Sequence, residues 1–528
     1  MKKLMIALLA VALGLSLYGT ASAVDINVYG ASAQYNFWSK QGQNWLLSAT
    51  GANCGSISAG PLSYTSSGAP FHGQKYFFIT GASCGAVGGG SITVRVTAAD
   101  SFDGLDAVAQ LPYAFDSVVP NSPNTHHLDP MAANGTPCGT GQRTMLADAT
   151  NNPPNFPADY GCFPVVLGAS DVTPDIFTQH TNFAGSYFDG PKGTAAAWGP
   201  INLSTGSNLP AGMGGLTHFQ PVVVPFGLWL NNSVQLATCA SSSPVPYAGS
   251  PCDPSSSGQC GTGGTCQAAA NVTNLPLEWL NLILTGKVAN WNQLNSAFSS
   301  VPVTLCLRVP GSGTLATLDY AVLKRTGGSL PVRESTSTAP FVWFNFTSGD
   351  VEKCVNAESG AIGILDADDT AVTIANGGYG PVGVEGQLPT RTNIRTGLYD
   401  YFTFENLYES ASCSGDISAT GCNQLVTNFT DFSNLPENIT ASGRSLYAST
   451  AEMLVTKAGA NYPSVTPGGA MSLCELTGAP VVGGENPGAI CAGASPAGNV
   501  GAVACVGSTA CVQENCATNS ANAPGLCP

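Results

Sequence analysis

Arg308-Val309-Pro310-Gly311-Ser312-Gly313-Thr314 constrains the fold of this chain most, because a strand pattern runs into it and a helix pattern runs out of it. Before it, Val301, Val303, Leu305 and Leu307 alternate with Pro302, Thr304 and Cys306, as in a short strand of a largely buried sheet. After it, Leu315, Leu318, Ala321 and Val322 recur at helical spacing until Gly327-Gly328 gives a stop signal. The glycines allow a tight turn and close approach to a ligand, while Ser312 and Thr314 place hydroxyls beside the unpaired N–H groups of a helix start. Such an end attracts anions. A guanidinium such as that of Arg308 suits a tetrahedral oxyanion, which it can grip through two parallel hydrogen bonds. The plainer reading is a Gly-Ser turn capping an ordinary helix beside a solvated arginine, and this motif alone does not separate the two.

At 528 residues the chain exceeds a single compact core, so two domains plus appendages are expected. Lys2-Lys3, an apolar run from Leu4 to Leu17 and then Ala21-Ser22-Ala23 make a Sec-type signal, with cleavage expected after Ala23. No cysteine follows that site to take a lipid, and no later apolar span reaches membrane-crossing length, so no stable membrane insertion is expected. Eighteen cysteines in an exported chain argue for disulfides. The histidines (His72, His126, His127, His180, His218) show no ligand spacing with cysteine, and Cys-x-x-Cys pairs are absent, so neither a metal nor another cofactor is expected. A formal net charge of −15 disfavours nucleic acid as a partner. It does not disfavour an anion, since local dipoles and donors decide that.

In chain order, Val24 to Tyr29 alternates as a strand, Gly30 to Tyr35 forms a second glycine loop, and Phe37, Trp38, Trp45 and Leu46 lie on a helix. Cys54 and Cys84 are expected to close a Gly/Ser-rich excursion. The strand Ile92 to Val96 leads to a helix beginning near Gly104, with Ser101 either facing the site or serving as a simple cap. Pro120 to Pro157 reads as a surface insertion stapled by Cys138 and Cys162. An apolar strand, Phe163 to Leu167, puts Asp171 at its carboxyl end, where open α/β sheets bind ligands. Asp171 either caps a helix starting near Pro174 or accepts a hydrogen bond from an anion that still carries a proton. Phe219 to Leu230, broken by Pro221 and Pro225, suits a strand crossing between domains, and Tyr399 to Phe404 could carry the chain back. Between them lie a disulfide-tied loop from Cys239 to Cys266 holding Cys252 and Cys260, a helix at Leu277 to Leu284, and a turn-to-strand at Glu358 to Leu365. Beyond Gly468 six cysteines crowd a Gly/Ala/Pro-rich tail that builds no core.

With these pieces in order, the chain resembles the periplasmic phosphate-binding proteins of phosphate ABC importers. The glycine loop Gly30–Tyr35, Gly168-Ala169-Ser170-Asp171, Thr285 to Trp291, Arg308 to Thr314 and Glu358 to Gly363 match that family's elements in the same order. The resemblance implies an α/β, two-lobed type II binding-protein fold, with disulfide-stapled loop insertions and a Cys-rich C-terminal tail. Its parts would be a signal at 1–23, lobe I at 24–225 and 399–467, lobe II at 226–398 and the tail at 468–528. It implies phosphate or a similar oxyanion as ligand, an ABC permease as receiver and a periplasmic or extracellular location. Carried over by position, the ligands would be Gln34, Tyr35, Ser101 and Asp171 from one lobe and Arg308, Ser312, Gly313 and Thr314 from the other. Ser83 rivals Ser101. The family usually has a small hydroxyl residue where this chain has Gln34, and an acid where it has Pro310, which removes an expected partner of Arg308.

A binding role without catalysis is thus expected. A cell-surface structural protein reusing this fold is the alternative, favoured by the low charge (9% Asp, Glu, Lys and Arg) and the long insertions. A hydrolase ranks last: Ser312 lies in no Gly-x-Ser-x-Gly elbow, and no histidine is placed beside it.

Overall fold

The computed structural model describes residues 23–457 except 59–61, 66–73, 111–130, 132–133, 149, 175–184, 189–194, 199–212, 214, 241–248, 257, 310, 319–322, 324–334, 336, 369–376, 411–413 and 416–418, together with 465–467, 491–492 and 504–505. Most of the expected signal, His72, His126, His127, His180, Pro310, the helix expected near Pro174 and nearly all of the tail lie outside these residues.

Two sheets carry the chain. In the first, Ala23–Ala31 runs parallel to Gly90–Ala99 on one side and Leu167–Ser170 on the other. Gly90–Ala99 turns Ile92, Val94, Val96 and Ala98 to one face and Thr93, Arg95 and Thr97 to the other, and Leu167–Ser170 is wholly buried. Lys75–Cys84 adds antiparallel beyond Gly90–Ala99, and Asn406–Glu409 adds antiparallel beyond Leu167–Ser170. In the second sheet, Thr304–Arg308 runs parallel between Phe341–Asn345 and Ala361–Asp366. Val222–Asn231 then pairs antiparallel with Ala361–Asp366 and Gly378–Val384.

The sheets are joined through Val222–Asn231, every residue of which is buried. Val223 to Pro225 pair with Phe402–Phe404, whereas Phe226 to Leu230 pair with Ala361–Asp366. The partner changes at Pro225, a residue with no N–H to give a ladder. From Phe402–Phe404 the chain passes through Glu405 into Asn406–Glu409 of the first sheet. The two apolar runs expected to cross between lobes do so, and they do it as paired strands. The result is a two-lobed α/β arrangement.

Several local expectations need correction. The segment between Cys54 and Cys84 is largely sheet: Leu62–Thr65 and the long Lys75–Cys84 pair across it, and the strand-favouring run Tyr76-Phe77-Phe78-Ile79 explains why. The stretch expected as a surface insertion contains Gln142–Leu146, paired with Tyr160–Pro164, with Arg143 and Met145 fully buried. The apolar run ending at Leu167 is accordingly two strands, with Val165 and Val166 between them. The helix expected near Gly104 begins at Ser101 and is capped by Asp100, whose Oδ1 accepts from the Asp103 N–H at 2.8 Å.

Disulfides close Cys54–Cys84 and Cys138–Cys162 as expected, and the loop from 239 to 266 is tied as Cys239–Cys260 and Cys252–Cys266. A further bond, Cys306–Cys354, fastens the strand Thr304–Arg308 to the helix Ser348–Ala357. No described helix is long and apolar enough to cross a membrane.

The helix Tyr35–Leu47 is clamped between the first sheet and the helix Ala419–Asn434. Trp45 is fully buried there, meets the Phe429 ring edge-on at 5.1 Å and donates its indole N–H to Asn428 at 2.8 Å. Trp45→Ala should therefore cost about 3–5 kcal/mol of stability. Urea unfolding of parent and variant measures this; a change under about 1 kcal/mol would show that the site collapses around the smaller side chain.

Candidate functional site

The parallel strands of both sheets end at the same place. The loops after Ala23–Ala31, Gly90–Ala99 and Leu167–Ser170 meet those after Thr304–Arg308 and Phe341–Asn345, in the crevice where open α/β sheets place ligands. The helices Tyr35–Leu47, Ser101–Val108 and Ser348–Ala357 begin there, so their free N–H groups and positive dipole ends converge.

Asp171 sits at the centre, 1% exposed. Its Oδ1 accepts from Gln34 Nε2 at 2.6 Å. Its Oδ2 accepts from Ser101 Oγ at 3.4 Å and Thr314 Oγ1 at 3.3 Å. Burial pushes this carboxyl above the usual carboxylate range, while the Gln34 bond, the Arg308 charge and the two hydroxyls pull it back. Asp171 thus accepts from a ring of three side-chain donors, while the helix it was expected to cap lies outside the described residues.

Ser101 links the lobes: its Oγ also accepts from the N–H groups of Asp171 and Gly313, each at 3.2 Å. Gly313 fits because it has no side chain. A Cβ there would lie 2.4 Å from Ser101 Oγ and 2.6 Å from Asp171 Cβ. Gly311 adopts φ +88°, a left-handed turn that glycine makes freely, and its carbonyl accepts from the Phe102 N–H at 3.0 Å.

Arg308 is 3% exposed, so the solvated arginine of the plainer reading does not occur. Nor is its fork free to grip with both arms. Nε donates to the carbonyls of Asn345 at 3.2 Å and Phe346 at 3.1 Å, and Nη2 to that of Phe346 at 2.6 Å. These carbonyls hold the guanidinium in place. Nη1 faces the crevice and donates to Ser32 Oγ at 2.9 Å and Ser348 Oγ at 3.5 Å. Burial lowers the group's pKa to about 10, against the charges of Asp171, Asp100 and Asp350, so it stays a cation at neutral pH.

Of the expected residues, Gln34, Ser101, Asp171, Gly313 and Thr314 are thus bonded into one cluster, with Arg308 at its edge. Two send their side chains elsewhere. Ser312 Oγ accepts from the Leu315 N–H at 3.4 Å, the turn of a helix cap. The Tyr35 hydroxyl donates to the Tyr76 carbonyl at 2.7 Å and bonds Ser63, with burial pushing it up to about 12. Ser83, the rival to Ser101, is exposed at the far end of Lys75–Cys84.

Sequence reading missed Ser32 and Ser348. The second carried a signal: Thr347 and Asp350 form a reciprocal capping box, so a helix start was legible three residues before Asp350. Ser32 had none beyond lying inside the glycine loop Gly30–Tyr35.

No family model matches the chain. Part of it is similar to a curated phosphate-binding protein. The relative is the phosphate-binding protein PstS of Bacillus subtilis (strain 168), 27% identical over 151 residues, which is 28% of this chain and 43% of that protein. The match thus spans less than half of its length. Among solved structures, a putative phosphate ABC transporter substrate-binding protein with bound phosphate from Clostridium perfringens aligns over 81% of this chain and 99% of its own, at 11% identity and a TM-score of 0.39. A DING protein aligns over 80% and 90%, at 14% identity and a TM-score of 0.39.

The fit at Gly313 generates a prediction that needs no ligand. Gly313→Ala should keep the lobes from meeting, at a cost of about 1–3 kcal/mol in the closed form. Small-angle scattering should show a larger radius of gyration for the variant, with each lobe still folded by circular dichroism; an unchanged radius would mean that Ser101 and Asp171 yield.

Proposed function

We propose that this protein is a secreted binding protein that captures hydrogen phosphate, or a related tetrahedral oxyanion carrying a proton, between its lobes. The observation that carries the reading is the buried Asp171 carboxylate, an acceptor set among Ser101, Gln34, Thr314 and helix N-termini that all donate. Donors from both lobes suit an anion. A single carboxylate among them suits an anion with an O–H to give, and repels one without. On binding, the hydroxyls of Ser101, Thr314, Ser32 and Ser348, the Gly313 N–H and Arg308 Nη1 would turn from one another to the anion oxygens, with Asp171 Oδ2 taking the proton-bearing one. Tyr35 and Ser312 would contribute through backbone N–H groups at helix starts rather than through side chains.

The partial likeness to PstS supports the same ligand, and with it a periplasmic or extracellular location, delivery to an ABC permease and a role in phosphate uptake without catalysis. The lobe boundaries expected near residues 225 and 398 agree with the crossings at Pro225 and Phe402, so hinge motion there is part of the proposal.

Competition binding with labelled phosphate tests it. Arg308→Ala should weaken phosphate binding by roughly 2–5 kcal/mol, well over tenfold, without unfolding the chain. Sulfate should compete at least about a hundredfold worse than phosphate against the parent, and much less so against Asp171→Asn. Because burial raises the Asp171 carboxyl, it gains its proton early as pH falls and becomes a donor, so the parent's discrimination should shrink toward acid. Sulfate competing equally with phosphate at neutral pH in the parent would remove the proton-reading role.

A further inference from the structure

Behind Asp171 a hydrogen-bond chain leads away from the anion site to the strand crossing between the lobes. Gln34, which donates from Nε2 to Asp171, turns its Oε1 toward Trp38 Nε1 at 3.2 Å. An indole N–H can only donate, so this contact fixes which way the amide faces. The same Trp38 N–H reaches Glu405 Oε1 at 2.5 Å. Glu405 is the link between Phe402–Phe404 and Asn406–Glu409, and its backbone N–H donates to the Val222 carbonyl at 2.9 Å. It is fully buried, and its Oε2 has no hydrogen-bond partner among the described residues. The Trp38 ring is held between Phe37 at 4.9 Å and Phe429 at 5.4 Å, so the N–H stays between its two acceptors.

We propose that Glu405 is a proton-responsive positioning residue for the anion site, acting through Trp38 and Gln34 on Asp171. The inference rests on the oxyanion reading above and adds to it a control seated in the interlobe strand. One hydrogen is shared by two acceptors. An ionised Glu405 is the stronger and draws the Trp38 N–H to itself, leaving the Gln34 amide less polarised. A neutral Glu405 releases that N–H toward Gln34 Oε1, and the polarised amide then donates more strongly to Asp171, as bonds in a chain reinforce one another. Asp171 Oδ1 is thereby held, and Oδ2 is left to read the anion.

The charged group facing Glu405 is Asp171, which Arg308 faces in turn, with Asp100 and Asp350 near Arg308. Burial raises the Glu405 carboxyl well above the usual carboxylate range; the Trp38 bond opposes this and the Asp171 charge adds to it.

The test measures phosphate affinity of parent and Glu405→Gln across about pH 5 to pH 9. Phosphate changes its own protonation over that range, but identically for both proteins, so the ratio of their affinities isolates Glu405. The ratio should be near one at the acid end, with the variant binding about threefold to tenfold more tightly at the alkaline end. A ratio constant with pH would overturn the inference. A parent that binds no phosphate at any pH would overturn the oxyanion reading itself, a distinguishable failure. A second measurement needs no substitution: in the unmutated protein the Trp38 indole N–H resonance should move with pH in a single titration, and a flat resonance while the chain stays folded would also overturn it.

Discussion

A carboxylate with 1% of its surface exposed can survive only if its surroundings donate to it, and the arrangement of both lobes follows from satisfying Asp171. Among the described residues no ion pair does so; Arg308 acts on it through space, without contact. Three side-chain donors make the compensation instead, Gln34 and Ser101 from the first lobe and Thr314 from the second. Losing any one leaves a buried acceptor short of a partner, a cost of about 1–3 kcal/mol. The cluster is therefore both what joins the lobes and what gives the crevice its sign.

Each donor is placed by regular structure rather than by a loose loop. Ser101 is the first residue of a helix capped by Asp100, and that helix is held from behind by Arg143, whose Nε and Nη2 donate to buried Asp103 at 3.0 and 2.8 Å. Thr314 stands one residue past the start of its helix, and Gly313 lets that start approach Ser101. Arg308 ends a strand whose neighbour, Phe341–Asn345, supplies one of the carbonyls that fix it, and Phe346 just past that strand supplies the other. Cys306, two residues earlier, ties the same strand to the helix bearing Ser348. Supports of this kind hold donors within about 0.5 Å of a set geometry.

Much of this is legible in the amino-acid sequence. The strand, glycine turn and helix around Arg308, the Asp171 strand end and the crossing runs at Phe219–Leu230 and Tyr399–Phe404 all follow from periodicity and turn residues, and all are present. What periodicity cannot give is side-chain direction. Tyr35 and Ser312 stand at the right places in the chain, yet one hydroxyl reaches back to Tyr76 and the other closes its own helix turn. The sheet between Cys54 and Cys84 is obscured because the surrounding Gly and Ser outweigh the short run Tyr76-Phe77-Phe78-Ile79. The carbonyls that hold Arg308 are invisible for a deeper reason: every residue has a carbonyl, so the sequence marks none of them.

Glu405 carries a sequence signal of its own. It stands alone as an acid in Tyr401-Phe402-Thr403-Phe404-Glu405-Asn406-Leu407-Tyr408, a run whose aromatic and apolar members are mostly buried. A carboxyl there must either lose its charge or find donors, and surface solvation is not open to it. Its position makes the choice matter, because Phe402–Phe404 and Val222–Asn231 are where one lobe becomes the other. The Glu405 backbone N–H bonds Val222 in the joining strand, while its side chain accepts from Trp38, which also reaches Gln34 and so the Asp171 carboxylate. In this fold, then, the strands that join the lobes and the Asp171 cluster are not separate regions: four side chains, Glu405, Trp38, Gln34 and Asp171, span the distance between them.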